Sequence, residues 1–120
     1  MTTEQSIMHQ CMLALSQAGC AVFRANIGLF FTRDGRPIRS GLPNGFPDLF
    51  GFRSDLMPFF VEVKSTTGRV RPAQSAFLDA MRARGAIAVV ARSADDCVAQ
   101  VLRISHQRSN IRMGLDLTDG

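Results

Sequence analysis

The stretch Phe59-Phe60-Val61-Glu62-Val63-Lys64 reads as a buried strand, yet it sets a carboxylate and an ammonium two residues apart. Lys64 is the only lysine among fourteen basic side chains, and Glu62 is one of two glutamates, the other being Glu4. Strand side chains alternate between faces, so Phe59, Val61 and Val63 share one face and Phe60, Glu62 and Lys64 the other, with Glu62 and Lys64 about 7 Å apart along the strand. An exposed pair of this kind stabilises a fold by about 0–1 kcal/mol, and Glu-x-Lys alone signals no more than that. Two features change the weighing. Phe60 on the same face argues against an ordinary solvent-facing strand. Asp48 opens the preceding strand, directly after Gly45-Phe46-Pro47, and a hairpin between the two strands would bring its carboxylate toward Glu62.

Two carboxylates converging in a partly dry site repel each other, so either one stays protonated or a cation sits between them. Hard oxygen donors suit Mg²⁺ or Mn²⁺, and Mg²⁺ is commonly held by one or two carboxylates, waters and substrate phosphate. Such an ion can polarise a phosphoryl oxygen and acidify a water. Lys64 would then orient that water or offset the charge that builds on the phosphate. A compact ammonium fits this task better than a guanidinium, which prefers to clamp two oxygens.

The elements that must position these groups can be read from periodicity and turn chemistry. Ile7, Cys11, Leu15 and Ala18 form a stripe, joined by Met8, Met12 and Ala14, that predicts a helix over 4–18, capped by Thr2 or Thr3 and ended by Gly19. Strands are expected over 20–26 and 29–32, the second turning at Arg33-Asp34-Gly35-Arg36. A Gly/Pro/Asn-rich loop over 40–48 leads into a strand at 48–52, and Pro58 suits the start of the 59–64 strand. Pro72 fits the first turn of a helix running to about Arg84, with Ala73, Phe77, Ala80 and Met81 as its apolar stripe and Gly85 at its end. Residues 86–91 form a continuous apolar run suited to a sheet interior. Ser93, Asp95 or Asp96 can start a last helix through Ile104, and the tail after about residue 106 is polar and expected to be loosely ordered. The order helix, strands, helix, strand, helix predicts an α/β fold: a mixed central sheet of about four or five strands flanked by helices, with strand 86–91 parallel to its neighbour across the helical crossover.

At 120 residues with 46% hydrophobic content, the chain is expected to be one domain spanning 1–120. No apolar run approaches the length of a membrane span, and the first ten residues do not read as a secretory signal. Three cysteines, Cys11, Cys20 and Cys97, match no metal-ligand spacing and suggest free thiols in a reducing cytoplasm. The net charge of +4 rests on thirteen arginines, whose forks fit phosphate oxygens, so a polyanionic partner is expected. Arg24 and Asn26 share one face of a predicted strand, Arg33, Arg36 and Arg39 surround a turn, and Arg69 and Arg71 follow Lys64. Singly each reads as a solvated surface charge; as a group flanking the acidic segments they point to a DNA surface. No recognition helix or zinc finger is evident, which favours DNA shape over base sequence as the feature read.

The residues "GFPDLFGF…FFVEVKS" resemble the Pro-Asp…Glu-x-Lys signature of restriction-endonuclease-like nucleases. With the "FRANIG" segment, the helix "PAQSAFLDAMRARGA" and the strand ending "VVARS", the chain is similar over roughly residues 4–102 to the VRR-NUC branch. That resemblance implies a metal-dependent DNA phosphodiesterase on a restriction-endonuclease-like core. It implies Asp48 and Glu62 as ligands of Mg²⁺ or Mn²⁺, the main-chain carbonyl of Val63 as a third ligand, and Lys64 as the catalytic lysine. It also implies Gln74 as a residue supporting the site and Glu4 as an acid holding metal-bound water. Arg71 stands where the family has a small helix-capping residue, so that cap must come from elsewhere. Small members of the branch resemble junction-cleaving homodimers, which implies branched DNA such as four-way (Holliday) junctions as substrate, a second copy of the chain as partner, and a phage or bacterial host cell as setting. Leu29, Phe30, Phe31 and Leu42 are candidates for the contact between copies, or for core. The alternatives are a DNA-binding module that does not cut, and a nuclease subunit that needs a partner helicase.

Overall fold

A computed structural model gives the fold and describes residues 3–25, 29–39 and 41–103. Helix α1 (Glu4–Gln17) is followed by β1 (Ala21–Arg24), β2 (Leu29–Phe31), β3 (Pro37–Arg39), β4 (Leu49–Phe52) and β5 (Pro58–Val63). Helix α2 (Pro72–Ala83), β6 (Ile87–Ala91) and α3 (Ala94–Arg103) complete the order. Four strands form one mixed sheet in the order β1-β4-β5-β6. The β1–β4 and β4–β5 pairs are antiparallel, and β5–β6 is parallel. The parallel step is dictated by the chain: a helix separates β5 from β6, and a helical crossover returns the strand in the same direction. The α/β class, the mixed sheet and the parallel last strand therefore stand as the sequence predicts.

The β2–β3 pair forms a separate two-stranded ribbon. Its turn uses Asp34-Gly35 as expected, with Gly35 donating its N–H to the Thr32 carbonyl at 2.9 Å. β3 carries no apolar alternation that would announce it; its three residues, Pro37, Ile38 and Arg39, are all exposed. Phe30 and Phe31 are 44% and 66% exposed, so they are surface residues and not core.

The core lies on the face of the sheet covered by α1 and α3. Ile7, Met8, Cys11 and Leu15 of α1 and Cys97 and Val101 of α3 pack with Leu49, Phe59, Val61, Val63, Ile87, Val89 and Ala91. The three cysteines are buried free thiols. On the opposite face, α2 covers β5 and β6. Its buried residues are Gln74 and Leu78, with Phe77 half-buried beside them, whereas Ala73 is exposed. The stripe expected through Ala73, Phe77, Ala80 and Met81 is therefore turned by about one residue, and Gln74 sits on the buried face instead of at its rim. No helix among the described residues is long and apolar enough to cross a membrane.

Thr3 is the N-cap of α1, its hydroxyl accepting from the Ser6 N–H at 3.1 Å. Thr3→Ala leaves that donor unsatisfied at the turn that carries Glu4. A loss of about 1 kcal/mol is expected, seen as a fall of about 4 °C in the thermal midpoint by circular dichroism.

Candidate active site

The parallel strands β5 and β6 end at one edge of the sheet, and the antiparallel pairings bring the start of β4 to that edge together with the end of β1. Open α/β sheets bind ligands at this kind of edge. Glu62 and Lys64 lie at the end of β5, Asp48 at the entry to β4 and Arg24 at the end of β1.

Asp48 is placed by packing on both sides. Gly45, at φ +88°, lets the preceding loop lie against α2; a Cβ there would stand 2.4 Å from the Ala73 carbonyl oxygen. Phe46 then inserts between Phe50, Phe60 and Phe77, with ring centroids 5.0 Å from Phe77 and 5.6 Å from Phe50. The backbone of Asp48 continues the β1 ladder, its carbonyl accepting from Ala25 N–H at 2.8 Å. Its carboxylate crosses to β5, where Oδ2 accepts from Val63 N–H at 2.8 Å.

Glu62 is 3% exposed and is gripped from two directions. The Gln74 side-chain amide donates to Oε2 at 2.7 Å, and Lys64 Nζ lies 3.4 Å from the same oxygen. Gln74 Oε1 in turn accepts from the Arg71 N–H at 2.9 Å. Gln74 thus makes the reciprocal half of a capping box, satisfying the N–H of the N-cap residue Arg71, and ties the first turn of α2 to Glu62. The second carboxylate oxygen, Oε1, is buried and has no hydrogen-bond partner among the described residues. Burial, and next the charge of Asp48, push the Glu62 carboxyl up to about 7, with Lys64 opposing. Asp48 is also raised, chiefly by burial and against the pull of its Val63 bond.

An open cleft of about 190 Å³ adjoins Asp48, lined by Glu4, Gln5, Met8, Arg24, Asp48 and Val63. Glu4 reaches it from the first turn of α1. A Cβ placed on Gly68 would stand 2.8 Å from Glu4 Oε2 and 3.4 Å from Lys64 Cδ, so both side chains converge on that glycine.

The structure therefore brings together Asp48, Glu62, Val63, Lys64, Gln74, Glu4 and Arg24 of the residues expected from sequence. Arg69 and Arg71 are exposed on the segment between Lys64 and α2. Arg33, Arg36 and Arg39 are exposed on the β2–β3 ribbon and its turn, outside the main sheet, and Arg36 is paired with Asp34 at 3.2 Å. Asn26 and the tail after residue 106 lie outside the described residues. Sequence reasoning passed over Arg92, which donates from one guanidinium nitrogen to the carbonyls of Ser65 and Gly68 at 2.6 and 2.7 Å. The available signal was an arginine at the end of the apolar strand that runs parallel to β5.

Among the described residues no three His, Cys, Asp or Glu side chains form a metal cage by themselves. Asp48 at the cleft and Glu62 on the neighbouring strand are nonetheless oxygen donors of the kind that suits a hydrated hard cation. Glu62 Oε1 is a buried carboxylate oxygen with no hydrogen-bond partner among the described residues, and burial is the main cause that raises both acids; a nearby cation would favour their charged forms. The residues present fit Mg²⁺ or Mn²⁺.

The molecule is an α/β domain with a four-stranded mixed sheet flanked by three helices, with two acids and a lysine at the ends of its central strands. The VRR-NUC domain model matches residues 21–95, and the chain belongs to that family. A solved VRR-NUC domain is similar in fold, with a TM-score of 0.58 and 23% identity, covering 88% of this chain and 97% of that one. No curated protein matches the chain. Family membership carries a nuclease-type fold and a role in processing DNA. Asp48, Glu62, Lys64, Gln74 and Arg92 fall within the matched range, and Glu4 lies before it.

Proposed function

We propose that the chain is a Mg²⁺- or Mn²⁺-dependent endonuclease that hydrolyses phosphodiester bonds in branched DNA, four-way junctions included, and acts as a homodimer inside a phage-infected or bacterial cell. The observation that carries this reading is the meeting of Asp48, Glu62 and Lys64 at one edge of the sheet, with Asp48 lining an open cleft and one buried Glu62 oxygen left without a hydrogen-bond partner among the described residues. Asp48, Glu62 and the Val63 carbonyl would hold the ion, which supplies phosphate polarisation and an activated water when bound. Lys64 sets a point charge next to Glu62, where it orients the attacking water and offsets charge building on the phosphate. Gln74 fixes the rotamer of Glu62 through its amide. Glu4 accepts hydrogen bonds from water on the cleft side. The cut leaves a 5′-phosphate, as the superfamily resemblance implies.

Arg24 lines the cleft, and the exposed Arg33, Arg36, Arg39, Arg69 and Arg71 extend a cationic surface for the DNA backbone. Symmetric resolution of a four-way junction needs two cuts, which a twofold pair of copies supplies. The exposed Phe30, Phe31 and Ile38 of the ribbon suit the contact between them.

The test is cleavage of labelled four-way, flapped and linear DNA with Mg²⁺, with Mn²⁺ and with chelator, alongside sedimentation of the protein. Metal-dependent products from the branched substrates are expected. Salt-sensitive binding without products under any metal would instead establish a binding module. Arg24→Ala is expected to weaken DNA binding about fivefold and to lower the slope of log K against log salt by about one, for loss of one phosphate contact. Fluorescence anisotropy across a salt series measures both.

A further inference from the structure

We propose that Arg92 and the turn at 65–68 form a positioning device that seats the Glu4 carboxylate at the cleft and braces the Lys64 stem beside it; this rests on the nuclease reading above. The chain leaves β5 at Val63, and the Lys64 N–H donates to the Ala91 carbonyl at 3.0 Å, so Lys64 is registered against the end of β6. The next residue of β6's strand line, Arg92, turns its guanidinium inward. One nitrogen donates to both Ser65 and Gly68 carbonyls, at 2.6 and 2.7 Å, and Gly68 N–H closes the turn on Ser65 at 3.2 Å. The backbone of Arg92 is itself fixed, its N–H donating to Asp96 Oδ2 at 3.3 Å at the start of α3. The turn is thus pinned at both ends by one side chain that the metal-and-lysine chemistry does not use.

What the turn presents to the site is Gly68. The space its missing Cβ would fill is bounded by Glu4 Oε2 at 2.8 Å, Ser65 Oγ at 3.2 Å and Lys64 Cδ at 3.4 Å. No side chain fits there without moving one of these groups. The group that yields most easily is the end of Glu4, which is a flexible side chain on an exposed first helical turn. Gly68 therefore works as a cradle for Glu4 and a brace for Lys64, and Arg92 holds the cradle at its height. Arg92 acts through other residues and is a positioning residue, as is Gly68.

Three measurements test this. In metal-free protein, Arg92→Met removes the donors but keeps the apolar stem, and the Gly68 amide is expected to exchange about tenfold faster while the β5 amides are unchanged. In single-turnover cleavage, Arg92→Met is expected to lose about thirtyfold in rate with DNA affinity held within about twofold, and Arg92→Lys to recover part of that rate. Gly68→Ala is expected to cost about tenfold in rate in the wild-type background and less than about twofold in Glu4→Ala, because the displaced group is already gone. Equal fractional losses in both backgrounds, or unchanged Gly68 exchange in Arg92→Met, would overturn the proposal. A wild-type protein that cuts no DNA would instead remove the nuclease reading, and the exchange measurement alone would then decide the positioning claim.

Discussion

Asp48→Asn, Glu62→Gln and Lys64→Met each lose metal-dependent DNA cleavage by about a thousandfold or more, while DNA affinity in metal-free buffer changes by less than about threefold. The magnitude follows from removing a preorganised charge at the reacting phosphate, where a single missing hydrogen-bond donor already costs 10²–10³ in rate. The three losses are expected to be alike because the groups act as one unit. On the proposed reading Asp48 and Glu62 would share the negative charge that holds the ion, and Lys64 lies 3.4 Å from Glu62. Double variants are then barely worse than single ones, the pattern for residues that work together. Single-turnover kinetics on a four-way junction measure these rates. Cleavage retained in all three variants would place the chemistry elsewhere.

Stability of the metal-free protein is expected to rise as pH falls from 8 to 5.5, by about 2 kcal/mol, and Glu62→Gln is expected to remove most of that dependence. The sign follows from the raised carboxyl. Glu62 titrates at about 7 in the fold against an ordinary value of 4.5, with burial the main cause and Asp48 the second. Between those two values the native state holds a proton that the unfolded chain has released, so the folded state gains as pH drops. The gain is complete below 4.5 and is lost as pH rises through about 7. The full gap corresponds to roughly 3 kcal/mol, which is the most by which Glu62→Gln can exceed wild type in stability at pH 8. The raised Asp48 carboxyl works in the same direction. A divalent ion is expected to reverse the order, stabilising wild type and leaving Glu62→Gln unmoved. Urea unfolding in chelator and in Mn²⁺, at pH 5.5 and 8, reads both effects.

The sheet and its helices were legible because their signals are local. The i, i+3, i+4 stripe of α1, the Asp34-Gly35 turn, Pro72 at the start of α2 and the unbroken apolar run of β6 each carry their own instruction. Alternation on β5 correctly separated Val61 and Val63, which face α1 and α3, from Glu62 and Lys64. The phase of α2 was less legible because its buried face mixes a polar residue with apolar ones. Gln74 is buried by its bonds to Glu62 and to the Arg71 N–H, and hydrophobicity alone assigns such a residue to the rim. The β3 strand was invisible because an exposed ribbon leaves no apolar alternation. Arg92 was passed over because its partners are main-chain carbonyls 24 and 27 residues away, and sequence spacing carries no trace of such contacts. The pairing of Asp48 with β5 was expected as a hairpin, but the bond from Val63 N–H to its carboxylate depends on register and packing, not on residue type.

The central claim is that Asp48 and Glu62 share one divalent ion at the ends of β4 and β5. Anomalous diffraction from crystals soaked in Mn²⁺ tests it most directly. A single strong peak between the two carboxylates, absent from Glu62→Gln crystals, is the expected result. No peak there at saturating Mn²⁺, or a peak bound only by other residues, would contradict the account.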